Sequence, residues 1–118
     1  MALGTVLVGF GAYIKYEKSL SHASKISPKT AKNMIKLGAK VIDVRSVAEY
    51  KLGHHPKAVN IVAQDLSVKN LKANKINEND VLVVYCNTGT RARRASDKLV
   101  SLGYPNVYYI VETHLSIL

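Results

Sequence analysis

A single cysteine, Cys86, stands in the 118 residues. One thiol builds no internal disulfide framework, and no multi-cysteine zinc or iron–sulfur site can come from this chain alone. An unpaired thiol is kept most easily in a reducing compartment, which favours the cytosolic side. Tryptophan is absent and phenylalanine occurs once, as Phe10 in the N-terminal apolar run. The base-stacking platforms of a single-strand binder would have to be tyrosines. Acidic residues are scarce as well, eight against 17 lysines and arginines, for a net charge of +9. The lysines are spread along the chain, so the excess reads as a solvated face with a general attraction for anions, and no nucleic-acid partner is expected. His22 and His114 show no metal-ligand spacing with each other or with a carboxylate pair, so neither a metal nor a cofactor is expected. With 47% apolar and 21% charged residues, the chain has the composition of one folded domain.

The opening "MALGTVLVGFGAYI" carries no charge and is followed by "KYEKSL". Fourteen helical residues rise only about 21 Å, but extension to Leu20 reaches about 30 Å, the hydrocarbon thickness of a bilayer. Lys15 and Lys18 would snorkel, and Tyr13 and Tyr16 would sit at the interface. Residues 1–20 are therefore expected as an apolar N-terminal helix and single-pass membrane anchor. The lysines that follow hold the remaining domain on the cytoplasmic side. The alternative is a buried or frayed apolar helix of a soluble cytoplasmic protein. "GFGAYI" begins like a dinucleotide-binding loop, yet Ile14 stands where the third glycine belongs and no strand precedes it.

Residues 21–25 read as a short linker and residues 26–118 as the folded domain. Ser27 is a plausible N-cap with Pro28 at the first helical position, and Gly38 closes that helix. "KVIDVR" reads as a strand buried on both faces, and "SVAE" at 46–49 as a capping box opening a short helix that ends near Gly53. "AVNIV" is a second β-branched run. Leu66, Val68, Leu71 and Ile76 have helix-like spacing, and "VLVVY" is the clearest strand. Ala92, Ala95, Leu99 and Leu102 recur at helical spacing before Gly103, and "NVYYIV" is a last strand. Strands alternating with helices predict an α/β domain, a parallel sheet with helices on both faces. Ligands of such sheets bind at the carboxyl ends of the strands, where Cys86 lies.

Around that cysteine the chain reads "VVYCNTGTRARRAS". A loop running from a strand into a helix N-terminus turns backbone N–H groups toward one point, with the positive end of the helix dipole behind them. Thr88, Gly89 and Thr90 are small, and Gly89 can adopt the positive φ that curls such a loop. Helix N-termini and neighbouring arginines favour thiolate over thiol. Free cysteine is often a buried residue, but a core cysteine would not be followed at once by a polar loop and three arginines. Arg91 is the best candidate for gripping an anion. Of Arg93 and Arg94, one is expected at the mouth of the site and the other in solvent.

From about Ile26 to its end the chain resembles a single-domain rhodanese, a thiosulfate sulfurtransferase. "VIDVRSVAEYKLGHHPKAVNI" is similar to that family's "GHIPGAINI" segment through Asp43, Arg45, Glu49, Tyr50, Gly53, His54, Pro56, Ala58, Asn60 and Ile61. "VVYCNTGTRA" resembles its active-site strand and loop, with Cys86, Gly89 and Arg91 at the family's spacing. "KLVSLGYPNVYYI" resembles the helix and strand that follow. The resemblance implies that Cys86 takes sulfane sulfur from a small anionic donor such as thiosulfate. The amides of the loop Asn87, Thr88, Gly89, Thr90 and Arg91 would stabilise the persulfide, and cyanide, a thiol or an acceptor protein would remove it. It also implies that Arg91 orients the loop and helps bind the donor, that Asp43 and Arg45 brace neighbouring loops, and that His54 is structural. Four residues separate Cys86 from Arg91, where the related cysteine phosphatases have five. Three positions depart from the family pattern: Lys57 replaces a glycine, Asn87 a frequent arginine or glutamine, and "VETHLSIL" the usual "GG" turn and helix. An alternative expectation is a membrane-tethered rhodanese-like binding or regulatory module with little turnover.

Overall fold

The computed structural model describes residues 23–118. The apolar helix and membrane anchor expected over residues 1–20, and His22, lie outside the described residues. Among the described residues no helix is long and apolar enough to cross a membrane.

Five strands, β1 (Ser24–Lys25), β2 (Lys40–Asp43), β3 (Ala58–Asn60), β4 (Leu82–Tyr85) and β5 (Val107–Tyr109), form one sheet in the order β1-β5-β4-β2-β3. Every pairing is parallel. Four helices connect them: α1 (Pro28–Lys36), α2 (Val47–Leu52), α3 (Val68–Ala73) and α4 (Thr90–Ser101). Single 3-10 turns occupy Ala63–Asp65 and His114–Ile117. Side chains alternate across the strands, so the two faces collect different residues. Ile42, Leu82, Val84 and Val107 pack on one face with Leu71 of α3 and Ala92, Ala95 and Leu99 of α4. Val41, Val83 and Tyr85 pack on the other with Ala31 and Ile35 of α1 and with Ile117. The expected parallel sheet with helices on both faces is thus the fold. Each fully buried leucine or isoleucine in these layers contributes about 1.5–3 kcal/mol of burial free energy.

The helix starts follow local chemistry. The Ser27 side chain accepts the Thr30 N–H at 3.1 Å. Ser46 and Glu49 form a reciprocal capping box, Glu49 N–H to Ser46 Oγ at 3.2 Å and Ser46 N–H to Glu49 Oε1 at 3.0 Å. Three details differ from expectation. Ser24 and Lys25, expected as linker, pair with Tyr108 and Tyr109 as an edge strand; two exposed polar residues carry no hydrophobic pattern to announce it. α3 is short: Leu66 and Ile76 are buried but flank it. α4 starts at Thr90, ahead of its first apolar residue, because Gly89 caps it.

The chain builds outward from β2 to β3 on one side, then returns to place β4 and β5 on the other. The direction of growth reverses between β2 and β4. Loops leaving the carboxyl ends of two such strands diverge and open a crevice. Asp43 and Tyr85, the last residues of β2 and β4, stand in register, so the segments carrying Arg45 and Cys86 leave the sheet side by side.

Candidate active site

Cys86 follows the last residue of β4, and its Sγ is enclosed by the turn into α4. The N–H groups of Gly89 and Ala92 donate to Sγ at 3.2 and 3.3 Å. The Gly89 donor belongs to the expected loop, whereas Ala92 lies one residue beyond it. Gly89 holds φ at +94° as the residue preceding α4. A Cβ there would meet Val111 Cγ1 at 2.6 Å, Cβ at 2.7 Å and Cα at 2.9 Å. Backbone sign and close approach therefore both require glycine. Behind the sulfur, the twelve residues of α4 direct their positive end at the loop. Two N–H donors thus converge on the one sulfur.

Cys86 is only 1% exposed and belongs to the core layer under α4. Buried and hydrogen-bonded, it is at once the core residue and the loop residue that the sequence set against each other. Thr88 and Thr90 point outward and are exposed.

The other expected residues form one network beside the sulfur. The Arg91 guanidinium grips Glu49 at both ends, 2.7 Å to Oε1 and 3.0 Å to Oε2. Glu49 Oε2 also accepts the Asn87 side-chain amide at 2.9 Å, and the Asn87 carbonyl accepts from Arg45 at 3.3 Å. Arg45 donates through Nε and NH2 to Asp43 at 2.6–3.1 Å and to the Gly53 carbonyl at 2.7 Å. Asp43 is fully buried and also accepts the Arg45 backbone N–H at 2.9 Å. Asp43 and Arg45 thus tie the loop after β2 to the end of α2 and to Asn87. The Arg91 guanidinium, together with the Ser46 N–H, holds the Glu49 carboxyl down to about 2. Asp43 raises the Arg45 guanidinium, and burial raises the Tyr85 phenol.

His54 and His55 are each held by their neighbours. His54 stacks flat on Tyr50, ring centroids 3.6 Å apart, with Nδ1 2.8 Å from the Tyr50 carbonyl. His55 is buried, its Nδ1 accepts the Lys57 N–H at 3.0 Å, and its N–H donates to the Tyr85 hydroxyl at 3.1 Å. Burial lowers the His55 imidazole. Arg93 and Arg94 are both exposed, and neither is among the residues that line the cleft beside the loop. Among the described residues no group of three metal-ligating side chains is present.

A cleft of about 330 Å³ opens against this network. Arg45, Glu49, Asn87, Leu52, Gly53, His114 and Leu115 line it. His114 and Leu115 come from the C-terminal turn that replaces the family's usual ending, and sequence reasoning missed their place. His114 tilts against Tyr85 with centroids 5.9 Å apart, and burial followed by the Arg45 charge lowers its imidazole. Its Nδ1 has no hydrogen-bond partner among the described residues. Glu49 was legible only as a helix cap and a motif match; nothing local announced that it would also neutralise Arg91.

The Rhodanese-like domain family matches residues 27–113. YrkF, a candidate sulfur carrier protein of Bacillus subtilis (strain 168), is 32% identical over 71 residues, which span 60% of this chain and 37% of YrkF. The adenylyltransferase and sulfurtransferase UBA4 of Candida albicans (strain SC5314 / ATCC MYA-2876) is 27% identical over 94 residues, 74% of this chain and 22% of that protein. The chain therefore spans well under half the length of either relative. The human single-domain sulfurtransferase TSTD1 shares the fold with a TM-score of 0.64 at 23% identity, covering 81% of this chain and 94% of that one. With the match running from the N-cap of α1 through the cysteine loop to the last turn, the chain belongs to the rhodanese-like domain family.

Proposed function

We propose that the protein is a sulfurtransferase that carries sulfane sulfur as a persulfide on Cys86. The observation that supports this most directly is the pair of N–H donors, from Gly89 and Ala92, converging on Sγ at the N-terminus of α4. The Cys86 thiolate attacks the outer sulfur of a donor such as thiosulfate. The new S–S bond forms as the donor's S–S bond breaks, and sulfite leaves with the electron pair. An acceptor nucleophile, cyanide or a thiolate, then attacks the outer persulfide sulfur and regenerates the Cys86 thiolate. Donors already directed at the sulfur stabilise the anion in both half-reactions without reorganising. Asn87 and Arg91, joined through Glu49, hold the loop in the donating geometry. Names of the relatives agree with this chemistry: a candidate sulfur carrier and two sulfurtransferases.

Purified, reduced protein mixed with thiosulfate should gain about 32 Da, one sulfur atom, on Cys86, and Cys86→Ser should gain nothing. Absence of the gain with every sulfane donor would overturn the reading. The low exposure of Cys86 favours one second reading, a rhodanese-like binding module with little turnover. It predicts a full-deletion phenotype that Cys86→Ala does not reproduce. The membrane tether read from residues 1–20 is a separate part of the proposal, carried by their apolar sequence alone. Full-length protein should pellet with membranes and be released by removal of residues 1–20; recovery wholly in the supernatant would contradict it.

A further inference from the structure

A second cleft, of about 300 Å³, opens where β2 and β3 begin, at the end of the sheet opposite the cysteine loop. Ala39, Val41, Val59 and Ile76 give it apolar surface, and Lys40, Lys57 and Lys75 line it as well. The three charges differ in their commitments. Lys40 Nζ pairs with Asp80 at 3.0 Å and donates to the Lys75 carbonyl at 2.6 Å, which pins the turn after α3. Glu78, the other carboxylate between α3 and β4, pairs with Lys72 at 3.2 Å. Lys57 and Lys75 are exposed and form no ion pair among the described residues. Lys75 also stands in an unusual backbone. Three helices close with the same two hydrogen bonds: Gly38 to Ile35 with Ala39 to Met34 after α1, Gly103 to Val100 with Tyr104 to Leu99 after α4, and Lys75 to Lys72 with Ile76 to Leu71 after α3. The first two place glycine at the left-handed position; the third places Lys75 there, at φ +62°. A β-carbon strains that backbone, and strain held in place points to a role for the side chain. Lys57, which replaces the glycine of the family pattern, lines the same cleft.

We propose that this cleft binds a small organic anion, whose apolar body rests on Ala39, Val41, Val59 and Ile76 while the Lys57 and Lys75 ammonium groups hold its charged head. Uncommitted cations beside a concave apolar surface distinguish the site from a solvated lysine face, which offers no wall to a carbon body. Its volume lies at the small end of ligand sites and suits one ring with its head group. Lysine attracts an anion as a point charge rather than through a fixed fork, so carboxylate and phosphate heads are both compatible. The inference stands apart from sulfur transfer, since the two clefts share no lining residue.

Phenyl phosphate and benzoate carry the same ring on different heads, and inorganic phosphate and acetate carry the heads without the ring. Each is titrated into the full-length protein by calorimetry, and the lysines it covers are read from their protection against acetylation in peptide mass spectra. At least one ring-bearing anion should saturate at millimolar concentration or below, about tenfold tighter than its ringless counterpart. It should protect Lys57 and Lys75 but not Lys32, an exposed lysine of α1. Lys57→Gln and Lys75→Gln should each weaken binding about fivefold. Lys32→Gln removes the same unit of net charge and should leave binding unchanged. Lys75→Gly separates the turn from the ligand: it should raise the Tm by a few degrees by relieving the left-handed backbone, and weaken binding as Lys75→Gln does. No saturable binding of either ring-bearing anion overturns the inference. So does equal binding of the ringless anions, an equal loss in Lys32→Gln, or full binding in Lys75→Gly. Cys86 should load sulfur at the wild-type rate in all these variants, so a failure of the wild type to load tells against sulfur transfer alone.

Discussion

Replacing Gly89 with alanine tests the sulfur cradle at its tightest point. Alanine at φ +94° carries the left-handed backbone cost of about 1–2 kcal/mol. Its Cβ would also meet three atoms of Val111 at 2.6–2.9 Å, one of them the backbone Cα, which cannot rotate away. Overpacking of that kind costs about 1–3 kcal/mol, bringing the total to roughly 2–5 kcal/mol and a Tm loss of roughly 10–20 °C. A domain of ordinary stability stays folded at room temperature under such a loss. To relieve the contact the loop must move, and the Gly89 N–H then leaves Sγ. Loss of one donor of this type slows reaction about a hundredfold. Gly38→Ala is the control: it has φ +109° with nothing within 4 Å of the added Cβ, so only the backbone cost applies, far from the sulfur. Thermal melts and the rate of thiosulfate loading on Cys86 would be recorded for both. Gly38→Ala should lose a few degrees and no rate. If Gly89→Ala, folded, loads sulfur within about threefold of the wild type, the N–H cradle is not what activates the thiol.

Glu49→Gln removes the charge that Arg91 grips. The Glu49 carboxyl is held down to about 2, below its unfolded value of about 4.3. Its contribution to stability is therefore complete above about pH 4.3 and lost as pH falls toward 2. Pairwise melts of wild type and variant should differ by a constant amount above about pH 5 and converge between about pH 4 and 2; a gap that persists at pH 2 refutes the assignment. Asp43→Ala strands the Arg45 guanidinium, 6% exposed, without its carboxylate, and should cost about 3–5 kcal/mol in denaturant titration. A loss under 1 kcal/mol would show that the pair is not structural. Ile117→Ala empties a 2% exposed site that anchors the C-terminal turn, at about 2–4 kcal/mol. Because Val111, just ahead of that turn, presses on Gly89, Cys86 should alkylate with iodoacetamide several-fold faster in this variant. An unchanged rate would mean the turn does not restrict the sulfur.

Elements whose cause is local were legible. Ser27 and Ser46 cap helices through hydrogen bonds to residues three positions on, and the β-branched runs at 40–43 and 82–85 form central strands whose faces are both covered. What escaped has causes distant in sequence. Ser24 and Lys25 become a strand only because the β5 edge is open to them. Arg91 reads as a free cation until Glu49, 42 residues away, is brought to it by the adjacent ends of β2 and β4. His114 and Leu115 line the cleft because Ile117 buries itself against α1, folding the last turn back over the sheet end.

Strand order explains why the cysteine loop alone could mislead. On its own it offers a thiol near three arginines, which suggests an electropositive hole for an anion. The reversal of sheet growth between β2 and β4 sets the loop after Asp43 against it, and α2, which follows that loop, brings the Glu49 carboxylate to Arg91. Arg93 and Arg94 turn to solvent on α4. The groups that donate to the sulfur are backbone, the N–H groups of Gly89 and Ala92 at the helix end, and that source is short-ranged. A short-ranged donor set can hold one sulfur as an anion without attracting a large charge into the adjoining cleft.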